Sequence, residues 1–279
     1  MVGMRSANLY EVNFIRALGF TGVCGAWLLA TDPSAMIWHH PLSLLGAVGA
    51  NVMLGNILGD LLYFQSLSDI GVSRAAAITS TYPLVAAGIS AFWLKEPLTM
   101  PLILGTASIV GGLILLRLEG TSADAQVRAH PVRGFLWALM AGIFWGMGIP
   151  ITKWLVASQQ VPPSTVNLWR SLVLLLFSGA LWLWPRRGTP LGSRFRRLGT
   201  IPPAGWVTIL ASGGVSLGVA GFIFISVLRF APASMVTPLT SVNPLLSTLF
   251  AVCFMGERLR RIQWIGSVLV VVGSAAVGM

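Results

Sequence analysis

The chain has 279 residues, of which 55% are hydrophobic and 9% charged, with a mean hydropathy of +0.81. Disorder needs low hydrophobicity and high charge, so it is ruled out; an ordinary soluble domain carries about 25% charged residues, which argues against a water-soluble globule. The 18 Lys and Arg against 8 Asp and Glu, a net charge of +10, therefore read first as membrane-topology signals and not as a nucleic-acid footprint.

A spanning helix needs roughly 20 mostly apolar residues. In chain order the segments that meet this are about 9–30, 42–67, 73–94, 97–117, 132–157, 163–184, 205–228, 233–255 and 260–278. Short breaks with turn chemistry separate most of them: Thr31-Asp32-Pro33, Ser68-Asp69-Ile70-Gly71, Lys95-Glu96-Pro97, Pro162-Pro163 and Phe230-Ala231-Pro232. Only Glu119–Pro131 and Pro185–Pro203 are longer connections. The expected fold is an all-α, polytopic membrane bundle of about nine helices. Cys24 and Cys253 lie in apolar runs with no metal or redox spacing, and His39-His40 form no zinc motif. No cofactor is expected.

The chain repeats itself. Pro83 and Pro244 lie 161 residues apart, and the same shift carries Ser73 onto Ser234 and Thr79-Ser80 onto Thr240-Ser241. It also carries Glu96 onto Glu257, Gly105 onto Gly266 and Gly112 onto Gly273. Upstream, Asn13 and Arg16 answer to Asn167 and Arg170 with a shift of 154, the difference falling in the longer loop of the second half. The expected domains are a first repeat over 1–120 with four helices and a second over 132–279 with five. The helix at 132–157, with Phe144-Trp145-Gly146, has no counterpart in the few residues before Arg16, so the first repeat reads as one helix short. An odd number of spans per repeat inverts one half against the other, as in many secondary transporters.

These paired segments (Ser73 to Pro83, Lys95-Glu96-Pro97-Leu98, Gly105 and Gly112; then Ala233-Ser234, Asn243-Pro244, Gly256-Glu257-Arg258-Leu259, Gly266 and Gly273) resemble the EamA domain of the drug/metabolite transporter superfamily. The resemblance spans nearly the whole chain in two copies. It implies a ten-helix permease of two inverted five-helix units, here without its first helix, in a cell membrane such as the bacterial inner membrane. Dimerisation would be one way to close the side that the absent helix covers.

The basic residues suggest an orientation. In the nine-span reading, fourteen of the eighteen fall on one face, leaving Lys95, Lys153, Arg170 and Arg229 on the other. Lys and Arg mark cytoplasmic loops, so the N-terminus is expected inside and the C-terminus outside. Family members resembling this chain keep both termini inside, and the two expectations conflict.

Polar groups inside hydrocarbon are costly and mark pathways. Asp60 stands out, with Asn56 and Tyr63 on the same face at α-helical spacing. Asp60 reads as a binder of cationic substrate or a carrier of a coupling proton; a buried, neutral, structural carboxyl is the alternative. The matched proline segments Thr79–Pro83 and Thr240–Pro244 are the second candidate, because a proline frees a backbone carbonyl that must find a partner or line a cavity. Thr79, Tyr82, Thr240, Ser241 and Asn243 are the substrate-binding candidates there, against a simple kink whose hydroxyls bond back to their own helix. The resemblance implies that these helices line a central cavity. Trp145 is a further candidate, with plain packing as the alternative. Lys153 is expected to snorkel to the interface, and Glu96 to place negative charge at a helix N-terminus.

The leading function is a secondary permease or exporter of small metabolites, amino acids or drugs by alternating access, with proton coupling or facilitated exchange as energy source. No Walker A loop appears. The rivals are a membrane-embedded enzyme, which would need a nucleophile–base set or metal ligands within the bundle whereas His39, His40 and His130 all lie outside the spans, and a non-transporting partner subunit.

Overall fold

The computed structural model describes residues 9–31, 41–117, 130–184, 198–242, 245–246 and 261–278. Regular structure among them is entirely helical, as hydrocarbon demands of chains that must satisfy every backbone polar group internally. The helices are α1 (Leu9–Thr31), α2 (Leu42–Val52), α3 (Asp60–Ile70), α4 (Val72–Thr79), α5 (Tyr82–Trp93), α6 (Met100–Arg117), α7 (Pro131–Lys153) and α8 (Pro163–Leu183). They continue with α9 (Pro203–Gly213), α10 (Ala220–Phe230), α11 (Ala233–Thr240) and α12 (Arg261–Val277).

Among the described residues, six stretches are long and apolar enough to cross a membrane: Tyr10–Thr31, Ser43–Ile70, Arg74–Trp93, Pro131–Ser158, Pro163–Leu183 and Pro203–Phe230. Met100–Leu116 and Arg261–Val277 are shorter apolar helices. The expected all-α polytopic fold is thus observed, with eight of the nine expected spans represented. Of the ninth, at 233–255, residues 233–242 and 245–246 are described.

The 161-residue repeat is written into the backbone. A π-helical turn at Met53–Gly59 joins α2 to α3, and another at Gly214–Val219 joins α9 to α10; Met53 and Gly214 are 161 apart. The helix breaks at Ser80-Thr81 and Ser241-Val242 are related by the same shift. A third π turn, Trp154–Ser158, follows α7.

Contacts divide the chain into two compact units, each drawing on both halves of the sequence. The first comprises Met1–Val52 and Leu155–Arg229. In it α1 packs against α8, α9 and the π turn that follows α9. Phe20, Cys24, Leu28 and Leu168 form one apolar core, and Val12, Ile15, Ile201 and Ile209 another. The Phe14 and Trp182 rings stack at 5.2 Å.

The second unit comprises Met53–Trp154 and Phe230–Met279. There α7 packs along α3, α4 and α5, while α6 and α12 form the most extensive helix pair. These two are repeat equivalents, and they meet antiparallel: Gly105 faces Gly273 and Gly112 faces Gly266. A Cβ on Gly112 would lie 2.5 Å from the Gly266 carbonyl oxygen, and one on Gly273 would lie 2.6 Å from that of Gly105. The Ser108 hydroxyl crosses the seam to the Leu269 carbonyl at 2.8 Å. Small residues let membrane helices approach until dispersion between backbones replaces the absent hydrophobic drive. Exchanging each glycine for its repeat counterpart turns the Gly105–Gly273 pair into Gly266–Gly112, so this contact is isologous and has local two-fold symmetry.

Two polar ties complete this unit. Arg133 at the start of α7 grips Asp69 near the end of α3 through two bonds of 2.9 Å, Nε to Oδ2 and Nη2 to Oδ1. Glu96 reaches the N-terminus of α11. Its Oε1 accepts from the Ala233 N–H at 2.8 Å, and its Oε2 accepts from the Ser234 N–H at 2.9 Å and the Ser234 hydroxyl at 2.8 Å. Lys95 aims it, turning the chain in the left-handed region at φ 58°. The expectation of negative charge at a helix start is met, but the helix served is α11 of the opposite half and not α6, which follows Glu96 in the chain.

Candidate functional site

In the second unit one cavity of about 220 Å³ gathers most of the sequence candidates. Tyr63 of α3, Thr79 and Ser80 at the end of α4, Tyr82 of α5, Trp145 of α7 and Ser241 beyond α11 line it, with Leu113 of α6. Each wall has a local cause. Helix α4 stops at Thr79 because Pro83 cannot continue a hydrogen-bonded turn and instead sits in the first turn of α5, where its missing N–H costs nothing. The break turns Thr79, Ser80 and Tyr82 into the space. Ser241, at the matched position, follows the end of α11.

The hydroxyls of this wall bond back to their own helices. Thr79 Oγ1 donates to the Ala75 carbonyl at 3.0 Å, Ser80 Oγ to that of Ala76 at 2.7 Å and Ser241 Oγ to that of Pro238 at 2.7 Å. The structural alternative named for the proline segments is therefore present in detail, although the same side chains line the cavity.

Trp145 organises the opposite wall. Its indole N–H is shared between the Asp60 carboxylate and the Gly55 carbonyl, each at 3.1 Å. The Tyr63 ring tilts against it with centroids 5.2 Å apart. The backbone at Gly59 admits the indole: a Cβ there would fall 2.7 Å from two of its ring atoms. Gly55-x-x-x-Gly59 thus seats an aromatic side chain on a π turn, and π turns occur often at functional sites.

Asp60 touches the cavity through Trp145 and is half-buried. Asn56 is not among the lining residues. Its expected face rested on α-helical spacing, whereas residues 53–59 are π-helical and rotate it away from that register. Thr240 is exposed, and its hydroxyl bonds to the Val236 and Thr237 carbonyls of its own helix. Asn243 and Pro244 lie outside the described residues, as do Glu257, Cys253 and His39-His40.

Sequence reasoning missed three features. Leu113 lines the cavity from α6 without any local signal of its own. The Asp69–Arg133 pair joins a residue of the Ser68–Gly71 turn to one of the fourteen basic residues of one predicted face. Lys153, expected to snorkel, instead donates to the Ala231 carbonyl at 2.9 Å, at the turn leading into the helix that Glu96 caps.

Residues 2–118 and 132–279 match the model of the EamA-like transporter family. The chain is 28% identical over 237 residues to the uncharacterized transporter YwfM of Bacillus subtilis (strain 168), covering 85% of this chain and 72% of that protein. It is 19% identical over 273 residues to the uncharacterized transporter YxxF of the same organism, covering 95% and 80%. A protein of known crystal structure shares the fold with a TM-score of 0.74 at 21% identity, over 99% of this chain and 90% of that one. With two family matches that together account for nearly every residue, this multi-pass membrane chain belongs to the EamA-like transporter family.

Proposed function

We propose that this transporter carries a small organic substrate with a cationic amine, such as a metabolite, amino acid or drug, by alternating access as a secondary permease. The observation that carries the reading is the Asp60 carboxylate held at 3.1 Å by the Trp145 indole, with the Tyr63 ring alongside and the cavity in front of both rings. Aromatic faces attract organic cations, and an intramembrane carboxylate supplies the opposite charge or a coupling proton. Thr79, Ser80, Tyr82 and Ser241 give the other wall polar edges for orientation. The charge distribution of the loops supports a cytoplasmic N-terminus and an external C-terminus in a cell membrane.

Counterflow in liposomes with amine-bearing and neutral solutes of matched size tests this. Asp60→Asn keeps an acceptor for the indole, so the protein should fold, while uptake of the cationic solutes should fall at least tenfold. Unchanged uptake with an unchanged pH profile in Asp60→Asn defeats the reading. Uptake no greater than in protein-free vesicles across the panel would count against this class of substrate altogether.

A further inference from the structure

The first unit holds a second cavity, of about 160 Å³, with a different chemistry. Val23, Cys24 and Trp27 of α1, Asn167 of α8, Gly218 of the π turn and Phe222 of α10 line it. Ser164 near the start of α8 also lines it; the remaining walls are apolar except at Asn167, which is 1% exposed. The orientation of that amide is fixed: Nδ2 donates to the Gly218 carbonyl at 2.9 Å and contacts the Cys24 sulfur at 3.3 Å. A carbonyl can only accept, so the oxygen must point the other way. Oδ1 is buried and has no hydrogen-bond partner among the described residues. Space beside it is kept open by Gly221, where a Cβ would lie 3.2 Å from Oδ1. Glycine within a helix costs about 1 kcal/mol relative to alanine, and here it keeps a Cβ from crowding the acceptor.

A buried acceptor without a donor loses its full solvation. Adjoining it is an apolar space close to the roughly 150 Å³ that accepts benzene in an engineered protein cavity. Trp27 is 48% exposed and Ile223, also lining the cavity, is 57% exposed, so its mouth is apolar.

From the geometry we infer that this cavity binds a small aromatic molecule carrying one O–H or N–H donor, of phenol or indole size, that partitions into the bilayer. The ring fills the space between α1, α8 and α10, and its single donor satisfies Asn167 Oδ1. This site shares no residue with the Asp60 cavity, and its occupant needs no charge.

The test uses the full-length protein in nanodiscs and 4-azidophenol as photoprobe, with labelled peptides mapped by mass spectrometry. Label should appear in α1, α8 and α10, and phenol should compete for it about fivefold better than toluene at equal bilayer concentration, the ratio expected of one net hydrogen bond. Asn167→Leu should abolish that preference. Because this substitution also removes the bond to Gly218, Gly221→Ala provides the second variant: it leaves that bond in place, sets a methyl 3.2 Å from Oδ1 where a ligand donor would have to approach, and should equally bring the phenol-to-toluene ratio to about one. Label confined to other helices, equal competition by phenol and toluene in the wild-type protein, or a preference that survives Gly221→Ala would each overturn the site. A water molecule or a lipid chain as the normal occupant predicts the second of these results.

Discussion

Glu96→Ala is expected to destabilise the second unit by about 2–3 kcal/mol. The carboxylate accepts three hydrogen bonds at the start of α11, and both residues that donate them, Ala233 and Ser234, are fully buried. Their N–H groups cannot turn to water when the acceptor is gone. Hydrogen bonds to charged groups contribute about 1.5–3 kcal/mol, loss of a helix cap typically costs about 1 kcal/mol, and favourable charge at a helix N-terminus adds about 0.3–1 kcal/mol. These terms share one side chain and overlap, which sets the total below their sum. Equilibrium unfolding in mild detergent, followed by tryptophan fluorescence, measures it; at about 2–4 °C per kcal/mol the thermal midpoint should fall by roughly 5–10 °C. Glu96→Gln keeps an acceptor and loses the charge, so it should cost about half as much. Ser234→Ala removes the hydroxyl bond alone and should cost about 1 kcal/mol. An alanine variant at Glu96 within about 0.5 kcal/mol of the wild type, or one milder than Ser234→Ala, would refute the capping role.

Gly112→Ala should block close approach of α6 and α12, since its methyl would sit 2.5 Å from the Gly266 carbonyl oxygen, whereas Gly111→Ala meets nothing within 4 Å. Overpacking costs about 1–3 kcal/mol, so size-exclusion yield and thermal midpoint should drop for the first and hold for the second. Trp145→Phe removes the N–H shared by Asp60 and Gly55 but keeps an aromatic ring beside Tyr63; transport KM for cationic solutes should rise about tenfold without loss of folded protein. A C-terminal alkaline phosphatase fusion should be active and a C-terminal fluorescent protein dark, in keeping with an external C-terminus; the reverse pattern sinks that orientation.

Much of the fold was legible because hydrocarbon simplifies the code. Spans announce themselves by apolar length, and the 161-residue shift pairing Pro83 with Pro244 reappears as paired helix breaks and paired π turns. Tyr63, Thr79, Tyr82, Trp145 and Ser241 could be singled out by polarity or aromaticity within spans, and one cavity unites them. Asn56 could not be placed, because a π turn changes the angular spacing of side chains without a distinctive composition. Glu96 was legible as a helix-capping charge but not as to its target, since a cap on α11 from 137 residues away is a tertiary fact. The Asp69–Arg133 pair was hidden for the same reason: each residue alone looks like ordinary loop chemistry.

The glycine seam between α6 and α12 carries a consequence for how such a molecule can be assembled. A surface on which Gly105 meets Gly273 and Gly112 meets Gly266, each pair an exchange of the other, is its own complement. Two copies of a single half, inserted in opposite directions, would find the same glycine-to-glycine approach. Joining the halves in one chain frees every other pair of matched positions to diverge, so that Asp60 can stand where the second half has Gly221. The glycines of the seam stay matched; the binding surfaces need not.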